Sequence, residues 1–315
     1  MLSYNMKMPL VPTSRYRTME HFGTEWCGNI TPSTAKRPTG APIAVRRSSD
    51  ALQPLYHSLP SEHQTMPKVP RKRTRMYHEL AHLWTLISAP EDYAAEAEYW
   101  RAALRDKLGP GRHHVLELGV GGGNNLSHLT GEFDATAVDL SESMLANSIR
   151  LNPGVDHHVG DMRTVRLGRT FDAVLIHDAI AYMLSEDDLR RTFATARAHL
   201  GPAGVFVTAP DWYRETFPSG PSVSSNIKRR NDEELCFVEY LHDPDPSDTT
   251  VESIFLLMFK EGEEVRVEED RHTTGLFPVD TWLSLIAEAG FAVEKLPYPV
   301  HADGHEAYLL VAVVQ

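Results

Sequence analysis

At 315 residues, 42% hydrophobic and 23% charged, the chain has the balance of a globular protein with one main domain and accessories. No apolar run approaches the roughly 18 residues of a membrane span, and the N-terminus lacks a compact secretory apolar core, so no membrane association and a cytoplasmic location are expected. Cys27 and Cys236 are too few for a disulfide framework and belong to no paired zinc or redox motif.

The net charge of −12 is unevenly spread. Residues 1–75 carry 12 Lys/Arg and 4 Asp/Glu, leaving −20 on the remaining 240. This first part is rich in Pro, Ser and Thr and shows no sustained period of 2 or 3.6, so a largely disordered basic arm is expected over 1–75. Its basic knot, Arg71, Lys72, Arg73 and Arg75, reads first as a solvated charge run and second as a contact for nucleic acid or an acidic surface.

From residue 76 the chain becomes periodic. "YHELAHLWTLIS" and "SAPEDYAAEAEYWRAALRDKL" predict two helices forming a cap over 76–108, the second opening with Ser88 and Glu91 in capping-box register and Pro90 in its first turn. Short apolar runs then alternate with helical patterns, the signature of βα units building a parallel sheet covered on both faces. In "HHVLELGVGGGNN" a strand runs into a glycine turn and a helix beginning near Asn124 or Asn125, so backbone N–H groups can approach a ligand closely. The dinucleotide pattern G-x-G-x-x-G fails, because Asn124 stands where its third glycine should be. The register that fits is E-x-G-x-G-x-G: Glu117, Gly119, Gly121 and Gly123. The next strand, "FDATAVDL", delivers Asp139, followed by Leu140, where a carboxylate can accept both hydroxyls of a ribose. After a third strand, "VGDMR" offers Asp161 to an adenine amino group and Met162 to the ring face.

With these motifs in order, residues 76–315 resemble a class I S-adenosylmethionine-dependent methyltransferase. The resemblance implies a Rossmann-like α/β fold with a doubly wound sheet of seven strands, one antiparallel, and S-adenosylmethionine as cofactor. "EAYLLVAVVQ" suits the late antiparallel strand, after a helix in "DTWLSLIAEAGFAVEKL" that stops at Gly290. "HDAIAYM", "APDWYRETF" and "RHTTGLFPVDTWLSLIAEAGF" look like bacterial small-molecule methyltransferases, with a weaker similarity to amino-sugar N-methyltransferases. In that second group an aromatic of the N-terminal helix closes over the cofactor, which makes Trp84 or Tyr93 the candidate here.

A sulfonium is already a strong methyl donor, so such an enzyme mainly aligns a nucleophile, excludes water and removes a proton where needed. The fourth strand, in "FDAVLIHDAIAYML", brings His177 and Asp178 to the crevice mouth; His177 could take a proton or line the donor, and Asp178 could hold a cationic acceptor or orient an imidazole. The segment is not of the N-P-P-Y type of amino-methylating nucleic-acid enzymes, and the acidity of this part also argues against nucleic acid. Residues 211–275 read as an inserted β lid of three antiparallel strands after the fifth sheet strand, with Arg214 and His272 as acceptor-side candidates. The adjacent pairs His113–His114 and His157–His158 point to opposite faces of their strands, so no metal is expected. The leading expectation is methyl transfer to an O, N or S nucleophile of a small molecule. The alternatives are a non-catalytic cofactor-binding or interaction protein of the same fold and a protein or RNA methyltransferase. The oligomeric state, a homodimer included, stays open.

Overall fold

The alternating apolar runs become one sheet with helices on both faces. A computed structural model describes residues 74–231, 233–301 and 304–315. The arm expected over 1–75 lies outside the described residues except for Thr74 and Arg75, and so does the rest of its basic knot. The strands β1 (His113–Leu118), β2 (Phe133–Asp139), β3 (Asp156–Val159), β4 (Phe171–Ile176) and β5 (Leu200–Thr208) precede the inserted strands β6 (Ser222–Arg230), β7 (Glu233–His242), β8 (Thr250–Glu261) and β9 (Glu264–Gly275). The chain then finishes the main sheet with β10 (Phe291–Pro297) and β11 (Tyr308–Val314). Spatial order is β10-β11-β5-β4-β1-β2-β3, and β11 runs antiparallel to both neighbours, as the resemblance implies. Strand order reverses between β1 and β4, and in an open α/β sheet that point opens a crevice at the carboxyl edge.

The period of two explains why these strands read as continuous apolar runs. Leu116, Val174 and Phe206 face one side, where Phe193 and Trp282 cover them. Their chain neighbours Val115, Ala173 and Val205 face the other, under Trp100 and Leu104. The covering helices are α2 (Ala94–Leu108) on the second side and α5 (Glu186–Ala198) with α6 (Val279–Glu288) on the first. Between the strands run α3 (Asn124–Ser127) and α4 (Glu142–Leu151), while α1 (Ala81–Ile87) opens the cap. Ser141 Oγ accepts from Met144 N–H (3.2 Å) to cap α4, and Ser185 Oγ accepts from Asp188 N–H (3.1 Å) to cap α5.

Two expectations need correcting. The helix start placed at Ser88 falls one residue later: Ala89 N–H donates to Asp92 Oδ2 (3.3 Å), and Ser88 Oγ is instead paired with the Tyr93 hydroxyl (2.8 Å). The lid has four strands, not three. β6, "SVSSNIKRR", is too polar to announce a strand, but it is an edge strand held by ladder bonds to β7, and a charged edge is a common protection against further pairing. Lys228 also reaches Asp92 (2.8 Å), tying this edge to the cap. On the inner face of the lid, Leu235 and Leu257 pack against Leu80, Leu83 and Leu86 beside and within α1.

Candidate active site at the carboxyl edge of the sheet

The glycine turn leaves β1 with Gly119 and Val120 N–H both donating to Val138 O (2.8 and 3.0 Å). Gly119, Gly121 and Gly123 have φ of 75°, 56° and 77°, a region in which a Cβ is strained. Their surroundings differ. A Cβ on Gly119 would lie 2.7 Å from Met162 Cε, one on Gly122 would lie 2.6 Å from Trp84 Nε1, and one on Gly123 would collide with Ser148 and Asn152. A Cβ on Gly121 would meet only Met144 Cε at 3.7 Å. Three of these glycines thus serve protein packing, and Gly121 presents bare backbone to the crevice.

Asp139 ends β2 beside this opening. Gly121 N–H donates to its Oδ2 (2.7 Å) and Ser141 N–H to its Oδ1 (2.8 Å), each oxygen keeping a lone pair. Burial raises its pKa above the ordinary value, against the backbone bonds from Ser141, Gly121 and Leu140. The next side chain, Leu140, is 65% exposed, an apolar surface at the rim. Asp161 is more engaged: Arg163 Nη2 donates to Oδ2 (2.6 Å) and Arg163 N–H to Oδ1 (2.9 Å), and this guanidinium holds the carboxyl below its usual range.

Glu117 lies beneath the turn, and its buried Oε2 has no hydrogen-bond partner among the described residues. Burial pushes its pKa up to about 8, with the His177 charge acting in the opposite direction. An acid that keeps its proton to about 8 when folded, against 4.5 otherwise, contributes stability that is full below 4.5 and is lost as pH rises to about 8. Glu117→Gln is therefore expected to melt with wild type near pH 5 and higher than it near pH 9. A gain of about 2–4 °C corresponds to 1 kcal/mol in a domain of this size. Melting curves that coincide at both pH values would mean that Glu117 has a partner.

His177 and Asp178 follow β4, at the start of a 3-10 turn, Asp178–Tyr182. The His177 ring is buried, with Nε2 2.9 Å from Glu96 Oε2 on α2 and Nδ1 3.3 Å from Asp178 Oδ1. Burial works against its charge, but the two carboxylates outweigh it and hold the imidazole protonated well above its ordinary range. Both ring nitrogens face carboxylates, so neither is open to an acceptor's proton in this geometry. The Tyr298 hydroxyl donates to the same Glu96 oxygen (3.3 Å), and the Trp100 and Tyr93 rings lie 5.1 and 5.9 Å from the imidazole. His177 is a buried tie between the cap and the sheet. Asp178, its side chain 39% exposed, remains at the mouth.

On the acceptor side the two lid candidates part. Arg214 directs its guanidinium to the carbonyls of Pro246 (3.1 Å), Asp248 and Leu276, bracing the β7–β8 turn. His272 is 2% exposed and faces inward: Nε2 is 2.9 Å from Asp270 Oδ2 and Nδ1 is 2.6 Å from the Tyr182 hydroxyl. That hydroxyl lies 2.8 Å from the hydroxyl of Tyr77. Tyr77, Tyr182, Asp270 and Glu96 were not singled out in the sequence. The D-x-H spacing on β9 was the available signal, since alternate residues of a strand share a face. Trp84 and Tyr93 also meet here, Trp84 with its ring 5.6 Å from Tyr77 and its Nε1 against the glycine turn, Tyr93 buried between Ser88 and His177.

The open backbone at Gly121, the lone pairs on Asp139 and the orphan carboxyl oxygen of Glu117 fit a nucleoside that carries a cationic amino-acid tail. Comparison with known proteins agrees. Residues 115–204 match the family described as a methyltransferase domain. Over 208 residues the chain is 34% identical to a dTDP-3-amino-3,4,6-trideoxy-α-D-glucopyranose N,N-dimethyltransferase of Streptomyces venezuelae, covering 65% of this chain and 86% of that enzyme. The crystal structure of Streptomyces venezuelae DesVI superposes with a TM-score of 0.67 at 30% identity, covering 75% of this chain and 98% of that one. CalS10 of Micromonospora echinaspora, an amino pentose methyltransferase solved with S-adenosylmethionine bound, gives 0.62 at 26% identity, over 75% and 96% of the two chains.

Proposed function

This chain belongs to the S-adenosylmethionine-dependent methyltransferase family that includes the amino-sugar N,N-dimethyltransferases, and from that premise we propose that its acceptor is the amine of a dTDP-linked deoxyamino sugar, methylated twice. It is an enzyme that transfers methyl groups from S-adenosylmethionine to a small molecule. No helix among the described residues is long and apolar enough to cross a membrane.

One observation carries the amine reading. The charges of Asp178, Asp211 and Asp270 all bear on the Tyr182 hydroxyl, whose pKa is raised first by burial and then by these carboxylates against the Tyr77 hydrogen bond. Such surroundings favour an ammonium over a diphosphate beside the Tyr182 hydroxyl, so the sugar amine is the end of the acceptor that suits this place. The cap over 76–108 and the lid over 211–275 frame this pocket.

Within it, Asp139 takes the ribose hydroxyls and Glu117 the donor's amino group, while Gly119, Gly121 and Gly123 shape the backbone cradle between them. Leu140 and Met162 flank the adenine, Asp161 exchanges part of its forked Arg163 contact for the adenine amine, and Trp84 closes the glycine turn. Bound S-adenosylmethionine supplies an electrophilic methyl group on a sulfonium. The chain's part is to hold the amine in line, with Asp178 drawing it in and Tyr93, Trp84 and Tyr77 keeping water out. Asp139→Ala is expected to weaken S-adenosylmethionine binding by about 1.5–3 kcal/mol, the scale of hydrogen bonds to a charged group. Calorimetry with no change in affinity would remove Asp139 from the ribose site.

The test of the function is incubation with S-adenosylmethionine and dTDP-3-amino-3,4,6-trideoxy-α-D-glucopyranose, the sugar named for the Streptomyces venezuelae relative. Mass spectrometry should find products bearing one and then two added methyl groups. An unmodified sugar after prolonged incubation, with label transferred to another metabolite class in a cell extract, would reject the acceptor.

A further inference from the structure

We propose that Tyr77, Tyr182, His272 and Asp270 form a proton wire that takes a proton from the acceptor nitrogen before each methyl transfer, with His272 as the receiving base. The inference rests on the amine reading above and adds to it a path that the cofactor residues do not supply.

The four groups form an unbroken chain of hydrogen bonds: Tyr77 to Tyr182 at 2.8 Å, Tyr182 to His272 Nδ1 at 2.6 Å, and His272 Nε2 to Asp270 Oδ2 at 2.9 Å. Its direction follows from the last link. Asp270 Oδ2 also accepts from Met76 N–H (2.7 Å) and Oδ1 from Arg271 N–H (3.0 Å). Burial opposes its charge, but the His272 and backbone bonds outweigh it and keep the carboxyl below its ordinary range, so Asp270 is ionised and only accepts. In the neutral ring this partner selects the tautomer with the proton on Nε2, which leaves Nδ1 as an acceptor. Tyr182 must donate to that nitrogen, Tyr77 must donate to Tyr182, and the Tyr77 oxygen is left with a free lone pair. Both hydroxyls lie within the field of Asp178, the exposed carboxylate at the mouth.

Packing alone would not require these polar groups. Tyr77 and Tyr182 meet edge to face at 5.7 Å, and Tyr182 and His272 at 5.9 Å, contacts that phenylalanine would make equally well. The wire joins the turn before α1, the turn after β4 and the lid strand β9, three segments far apart in sequence. The titratable groups facing it are Asp178 from the β4 end, Asp211 from the segment after β5, Tyr93 from the cap and Glu239 from β7, whose own Oε1 is bonded to Ser253 Oγ (2.8 Å).

The chemistry needs such an exit. In each transfer the nitrogen lone pair forms the N–CH3 bond, the S–CH3 electron pair returns to sulfur, and the nitrogen becomes a cation with no lone pair. Whether the nitrogen arrives as an ammonium or becomes one in the first transfer, it can accept a methyl group only after a proton leaves. The N–H proton passes to the Tyr77 oxygen, the Tyr77 proton to Tyr182 and the Tyr182 proton to His272 Nδ1, leaving both phenols neutral and an imidazolium paired with Asp270. The proton returns along the same chain to solvent when the spent donor is exchanged, which frees His272 for the second transfer.

Tyr182→Phe and His272→Gln, made in the full chain, test the wire on dTDP-3-amino-3,4,6-trideoxy-α-D-glucopyranose. Both are expected to lower kcat near neutral pH by about a hundredfold, the usual scale of lost acid–base catalysis, with recovery as alkaline pH deprotonates the amine in solution. Both should release monomethylated product where wild type completes the second transfer, and both should bind S-adenosylmethionine within about threefold of wild type by calorimetry. Variants matching wild type in pH profile and in mono- to dimethyl ratio would overturn the wire and leave the amine reading standing. A wild-type enzyme that leaves this and other amino sugars unmethylated would overturn both.

Discussion

Gly121→Val is expected to abolish S-adenosylmethionine binding, by more than about a hundredfold, while the protein stays folded. The two effects separate because of what surrounds each glycine. At Gly121 the nearest protein atom to a new Cβ is Met144 Cε at 3.7 Å, so a valine fits the protein and fills the crevice instead. Its left-handed φ of 56° adds strain of about 1–2 kcal/mol, and tilting the peptide also weakens the 2.7 Å bond from Gly121 N–H to Asp139. A hundredfold loss needs only about 2.8 kcal/mol, and a blocked site exceeds that. Gly123→Ala gives the opposite pattern, since its Cβ collides with Ser148 and Asn152, and should lower the melting temperature more than it changes affinity in the molecules that fold. Calorimetry and thermal melts on both variants decide the matter. A Gly121→Val protein that binds the cofactor normally would place it elsewhere.

The second large effect is expected at Asp178. Asp178→Asn should lower kcat/KM for an amine acceptor by about five- to 30-fold, between the scales of an exposed and a buried ion pair because the side chain is 39% exposed, with cofactor affinity little changed. The asparagine keeps the shape and one oxygen acceptor near His177 Nδ1, and Glu96 still pairs with the other imidazole nitrogen at 2.9 Å. What is lost is the negative charge facing the Tyr77 and Tyr182 hydroxyls. Steady-state kinetics on the dTDP-amino sugar measure the change; an effect confined to cofactor affinity would assign Asp178 to the donor.

Much of this was legible in the sequence because it depends on local spacing. The glycine register, Asp139 at the end of β2 and the Asp161–Met162 pair each follow a strand of clear apolar period, and the structure brings all three to one edge of the sheet. The acceptor side was less legible because its contacts are not local. Tyr77 and Tyr182 are 105 positions apart, and Tyr182 and His272 are 90 apart. No periodicity links them. The strand pattern places His177 at the crevice mouth, but nothing in "FDAVLIHDAIAYML" shows that Glu96, 81 residues earlier, is folded against it. Arg214 stands in the expected lid, but the open carbonyls of the β7–β8 turn satisfy its guanidinium first. β6 was missed because ladder pairing, not apolar patterning, makes it a strand.

The division of labour along the chain has an evolutionary consequence. The proposed donor contacts Gly119, Asp139 and Asp161 come from the one continuous run, 115–204, that matches the methyltransferase family, whereas of the proposed acceptor-side groups Tyr77 precedes it and Asp270 and His272 follow it. Mutation in the flanks can retune which amine is accepted without disturbing how the methyl source is gripped. Descendants of such a scaffold can diversify their products while inheriting one unchanged way of using the donor.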